Sequence, residues 1–86
     1  AGNARALVSL AKPRLFAPGR DETDLEAGLG LLREALEVDP DLETALLLKG
    51  RALDELGRTA EAVVAWRRAL EINPESRPAI DLLQDR

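Results

Sequence analysis

From Asp41 to about Leu56 the apolar residues Leu42, Ala45, Leu46, Leu53 and Leu56 recur at helical spacing, which gives one buried face. Gly57 stops that helix, since glycine takes the left-handed conformation at no steric cost. Thr59 is placed to cap a following helix whose face is Ala62, Val63, Trp66, Ala69 and Leu70. Asn73-Pro74 ends it, because the residue before a proline avoids helical angles. Ser76 then caps a last helix, with Pro78 tolerated in its first turn. Upstream, Asp24 or Thr23 opens a helix with Leu25, Gly28, Leu29, Leu32, Ala35 and Leu36 on one face. The pattern predicts five helices, at about 3–12, 23–38, 41–56, 59–72 and 76–85, with 13–22 irregular.

The same pattern repeats. Glu37-Val38-Asp39-Pro40 returns as Glu71-Ile72-Asn73-Pro74, and 74 minus 40 gives a spacing of 34. That offset also pairs Gly28 with Ala62, Leu32 with Trp66, Arg33 with Arg67, Ala35 with Ala69 and Leu36 with Leu70. In the forward direction Ala45-Leu46 pairs with Ala79-Ile80. Shared apolar, small and proline positions at one offset mark a structural repeat of two helices.

Composition agrees with helix. Ala and Leu dominate, and the only aromatics are Phe16 and Trp66. Strands would favour β-branched and aromatic side chains. The chain is 45% hydrophobic and 33% charged, too apolar for disorder, and its 86 residues make one domain. A domain of this size buries only about 60–65% of its unfolded surface, so it depends on a regular architecture.

Charge and missing residue types narrow the function. The net charge of −4 argues against a nucleic-acid module, which would carry a basic excess. No apolar run approaches a membrane span, and no signal segment leads the chain. With no His and no Cys, the usual general base, thiolate nucleophile and zinc ligands are absent, so the chain reads as no enzyme and as needing no cofactor or metal. Carboxylate-only catalysis would need a deep pocket, which a thin helical array rarely has. The lack of cysteine excludes disulfides without setting a compartment, of which the cytoplasm is favoured. The missing initiator Met suggests a piece of a longer chain or a processed product.

The 34-residue spacing, the helix–turn–helix unit and the closing proline resemble the tetratricopeptide repeat. The residues that carry the resemblance are Leu46, Lys49-Gly50, Leu53, Ala62, Trp66, Ala69 and Pro74. The departures are Leu46 where the family has Trp, Lys49 for Leu and Leu53 for Tyr. The resemblance implies an all-α fold of antiparallel helical hairpins stacked into a right-handed superhelical fragment. Residues 1–86 then form one domain: a degenerate first repeat at 1–40, a well-matched second at 41–74 and a capping helix at 75–86. The first unit fits only when Ala6-Leu7 is aligned with Ala45-Leu46 and Ala11-Lys12 with Gly50-Arg51. That offset, 45 minus 6, is 39, and the extra residues fall in a loop at 13–22.

Family resemblance also implies a site. In such proteins the first helices of successive hairpins line a concave face along which peptides lie. Matching this chain to that arrangement puts Thr44, Leu47 and Arg51 there from the middle helix, Arg5, Val8 and Lys12 from the first, and Asp81 from the last. Arg51 is suited to hold a carboxylate through two hydrogen bonds while Leu47 accepts an apolar side chain. The Lys and Asn that grip a terminal carboxylate in some members are replaced by Leu47 and Arg51. Trp66 stands where the family has a core aromatic, which favours packing over ligand stacking. Phe16, in the turn-rich stretch, either closes the first hairpin or meets a partner. Asp21-Glu22-Thr23-Asp24 favours a helix N-terminus over a cation site, and Arg67-Arg68 a solvated face beside Glu71.

The expected function is therefore a protein–protein interaction module of bacterial type. Its groove takes a partner segment with acidic and Leu-like residues. The rival expectation is a structural module that stacks on itself as a homo-oligomer.

Overall fold

The computed structural model describes residues 3–84. It contains α1 (Ala4–Phe16), α2 (Glu22–Val38), α3 (Glu43–Glu55), α4 (Thr59–Ile72) and α5 (Arg77–Gln84), and no strand among the described residues. The closest pairings are α1 with α2 and α3 with α4, while α2 joins the two hairpins by packing on α3 and α5 lies on α4. Gly50 meets Trp66 while Leu46 clusters with Ala69, so α3 and α4 run in opposite directions.

The sequence repeat is a repeat of backbone geometry. Asp39 and Asn73, which precede the two prolines, have φ/ψ of −137/90 and −136/93. The carboxylate of Asp39 accepts from the Asp41 N–H at 3.2 Å, and the amide oxygen of Asn73 accepts from the Glu75 N–H at 3.2 Å. Their main-chain carbonyls accept from Leu42 and Ser76 in the same way. Asp or Asn before Pro thus stops one helix and folds the chain into the next, twice.

Between α3 and α4 the turn is made by Gly57, whose φ is +85°. The N–H of Arg58 reaches the Leu53 carbonyl at 2.8 Å and that of Gly57 reaches Asp54 at 3.0 Å, the paired bonds of a Schellman ending. Thr59, expected as the cap of α4, is its first helical residue, with Arg58 in the cap position. Its hydroxyl donates to the Asp54 carboxylate instead, bridging the turn. The cap of α2 is Asp21 rather than Asp24 or Thr23. Asp21 and Asp24 each accept from the other's N–H, a reciprocal box that needs an acceptor at both positions. The acidic run is therefore a helix start.

The one larger correction concerns α1. The expected irregular stretch 13–22 shrinks to 17–21, because α1 continues through Pro13 to Phe16. A proline inside a helix costs about 3 kcal/mol through its missing N–H and its ring. Here the cost is reduced, since Ser9, whose carbonyl loses a partner, faces solvent. Against it stands Leu15, buried one helical turn after Ala11 and fitted against Gly28, where an added Cβ would lie 2.7 Å from the Leu15 Cδ2. Burying a leucine contributes about 1.5–3 kcal/mol. An ion pair from Arg14 to Asp24 at 3.1 Å ties the same turn to α2. Packing outweighs the proline.

The main core runs through α1 to α4, with Trp66, Leu29, Leu32 and Leu53 its largest fully buried side chains. A second cluster of Leu46, Ala69 and Ala79 seats α5. On α3, Leu48 and Ala52 are buried in addition to the expected stripe, because this helix has neighbours on two sides, α2 and α4. No helix among the described residues is long and apolar enough to cross a membrane.

Candidate functional site

Arg5, Val8, Ser9 and Lys12 fall at three- and four-residue steps on α1 and so share one face. That face stands beside the start of α3, where Leu42 and Thr44 complete an open depression of about 180 Å³. The structure therefore brings together four of the seven expected groove residues: Arg5, Val8, Lys12 and Thr44. Val8 is buried and forms the floor, while Arg5, Lys12 and Thr44 are exposed at the rim. Among the described residues neither Arg5 nor Lys12 has an ion-pair partner. Two cations beside a polar wall can receive a carboxylate or another anion.

The other three expected residues do not line this depression. Leu47 is half-buried and packs against both core clusters. Its carbonyl accepts from the indole N–H of Trp66 at 3.4 Å, which satisfies the one polar atom of an otherwise fully buried side chain. Trp66 is accordingly core. Asp81 is exposed on α5 and pairs with Arg77 at 3.3 Å.

Arg51 lies toward the far end of α3 with its guanidinium over the Phe16 ring, 5.5 Å from the centroid. Phe16 thus reaches across to the second hairpin, still about half exposed, as a stacking platform for a cation. Beside it Arg20 grips Glu55 in a forked pair, Nε to Oε2 at 3.0 Å and Nη2 to Oε1 at 2.8 Å. Those hydrogen bonds, with the charges of Arg20 and then Arg51 behind them, hold the Glu55 carboxyl below its ordinary range despite some desolvation. The Asp24 carboxyl is also held low, first by the Asp21 N–H and then by Arg14. Gly19, at φ +74°, makes the turn that delivers Arg20. The short α1–α2 connection is therefore strapped to α3. No spacing rule could find this pair, since 35 positions separate its members.

Stacked helical hairpins with matched turns at the two Asp/Asn-Pro steps define a helical-repeat protein. The family model for the tetratricopeptide repeat matches residues 20–86, and the chain belongs to that family. None of the curated proteins matches it. Repeats of this family are generally protein–protein interaction modules rather than catalysts.

Proposed function

We propose that the α1/α3 face holds a segment of a partner polypeptide, with an acidic side chain between Arg5 and Lys12 and a Leu-like residue against Val8, Leu42 and the exposed part of Leu47. The observation that carries this reading is a pair of unneutralised cations on one helix face, in a chain whose net charge is −4. Among the described residues Arg33, Lys49, Arg51 and Arg67 likewise form no ion pair, but Arg5 and Lys12 stand together on one face of α1 and line the same depression, which contains no carboxylate. Arg51, already stacked on Phe16, serves as a second contact further along the same face rather than as the main anchor.

Such a face is short and has few anchors, so affinity is expected to be micromolar, about −8 kcal/mol. The test is fluorescence anisotropy with labelled peptides carrying Asp or Glu flanked by Leu. Arg5→Glu and Lys12→Glu are each expected to weaken binding about tenfold or more, and Arg51→Glu by less. Arg67→Glu, on the exposed side of α4, serves as the control. Equal loss with the control, or no loss with either α1 variant, removes the α1/α3 face as the site.

A further inference from the structure

The α3/α4 hairpin turns two faces outward from its own seam. Leu48 and Ala52 meet the first hairpin, around a small void shared with Leu15 and Leu25. The opposite face carries an open groove of about 340 Å³ between α3 and α4. Leu46, Leu53 and Ala65 form its buried floor, and Lys49, Glu61, Val64 and Arg68 its edges. No residue of α5 lines it, because α5 sits to one side, over Leu46 and Ala69 through Ala79. Val64 is 67% exposed, more than Leu10, Val38 or Phe16, and stands directly at the edge of this apolar floor.

The order of charges along α4 identifies what fits the groove. Glu61 lies three positions before Val64, and Arg68 three positions after Ala65, all on one helix face. When two copies of α4 are laid antiparallel with Val64 of each opposite Ala65 of the other, Glu61 of each copy falls opposite Arg68 of its mate. The contact is made twice by symmetry. A parallel arrangement would oppose Glu61 to Glu61 and Arg68 to Arg68, which repel. We propose that this face is a two-fold interface between two copies of this chain, with Val64 of each seated in the groove of the other.

Details of the face agree with that occupant. Among the described residues Glu61 has only a long contact to Arg58, at 3.9 Å, and is available to a better partner. Arg68 is held in place by Asp41 at 2.9 Å and Glu71 at 3.0 Å through its two terminal nitrogens, which leaves further N–H donors of the guanidinium for an incoming carboxylate. Lys49 adds a second cation on the same wall, with no ion pair of its own among the described residues. A single pair of helices buries a small interface, so the dimer should dissociate on dilution. The interface shares no residue with the α1/α3 depression, and the two proposals stand or fall separately.

Sedimentation velocity on the 86-residue chain over a concentration series tests it. The parent is expected to pass from monomer to dimer as concentration rises. Val64→Asp, at a position exposed enough to leave folding intact, should raise the dissociation constant about tenfold or more. Glu61→Arg and Arg68→Glu should each be monomeric while keeping the parent's circular dichroism. Mixed in equal amounts, those two variants should dimerise again, because each reversed charge then meets its complement. A parent that stays monomeric at the highest soluble concentration overturns the proposal. So does a dimer indifferent to Val64→Asp, or a charge-reversed mixture that stays monomeric although both variants are folded.

Discussion

Trp66 sits at the centre of the second hairpin because Gly50 leaves it room: a Cβ at position 50 would stand 2.6 Å from the indole Cδ1. Removing the indole leaves a cavity in the main core between α3 and α4, and Trp→Ala changes of this kind cost about 3–5 kcal/mol. A domain of this size has a total stability of the same order. Trp66→Ala is therefore expected to lose its cooperative thermal transition, and a variant melting within a few degrees of the parent would return Trp66 to the surface. The packing role of Trp66 was legible from its place in the apolar stripe. The Arg20–Glu55 fork was not, because an ion pair between distant chain segments leaves no local pattern. Its signature is a pH dependence. The Glu55 carboxyl is held below its ordinary value, so its contribution is present above the unfolded pKa. That contribution is lost as pH falls below the ordinary glutamate range and through the depressed folded value. The melting temperatures of the parent and Glu55→Gln should differ at neutral pH and converge in acid. Parallel curves throughout would remove Glu55 from the account.

Two elements show how packing and local preference divide the work. In α1 the proline at 13 argues for an ending that Leu15 and Arg14 override by what they reach on α2. Pro13→Ala restores a donor to the Ser9 carbonyl and removes the ring. It should raise stability by up to about 3 kcal/mol, less the flexibility it returns to the unfolded chain. Denaturant unfolding measures this, and a loss of stability would show that Pro13 has a packing role the structure does not contain. At the other end, α5 is short and anchored through Ala79, which is fully buried against Leu46 and Ala69. Ala79→Asp places an unpaired carboxylate there and should release α5, seen as lost amide protection over 77–84 with α3 and α4 still protected. Unchanged protection would mean that Leu82 and Leu83, which pack on the main core, suffice to hold it.

For the molecule as a whole the net charge is −4, while Arg5 and Lys12 stand together on one face. Exposed charges act over the screening length, which falls from about 30 Å at 0.01 M salt to about 8 Å at 0.15 M. Capture of an acidic peptide by Arg5 and Lys12 should weaken over that range, by anisotropy titration, while the melting temperature hardly moves. Salt-independent binding would mean that apolar contacts alone carry it. The helices, their turns and the 34-residue repeat were determined by the sequence itself. They follow from local rules: apolar spacing, glycine where φ is positive, and Asp or Asn before Pro at the two helix stops, 39 and 73. Those rules act within a few residues and are written in adjacent letters. Tertiary structure decided what they do not reach. It carried α1 past Pro13, buried Leu48 and Ala52, set Arg51 on Phe16, and separated Asp81 from the depression beside Arg5 and Lys12. Each of these depends on which helix lies alongside, and that choice is made by the summed burial of whole faces rather than by any one position.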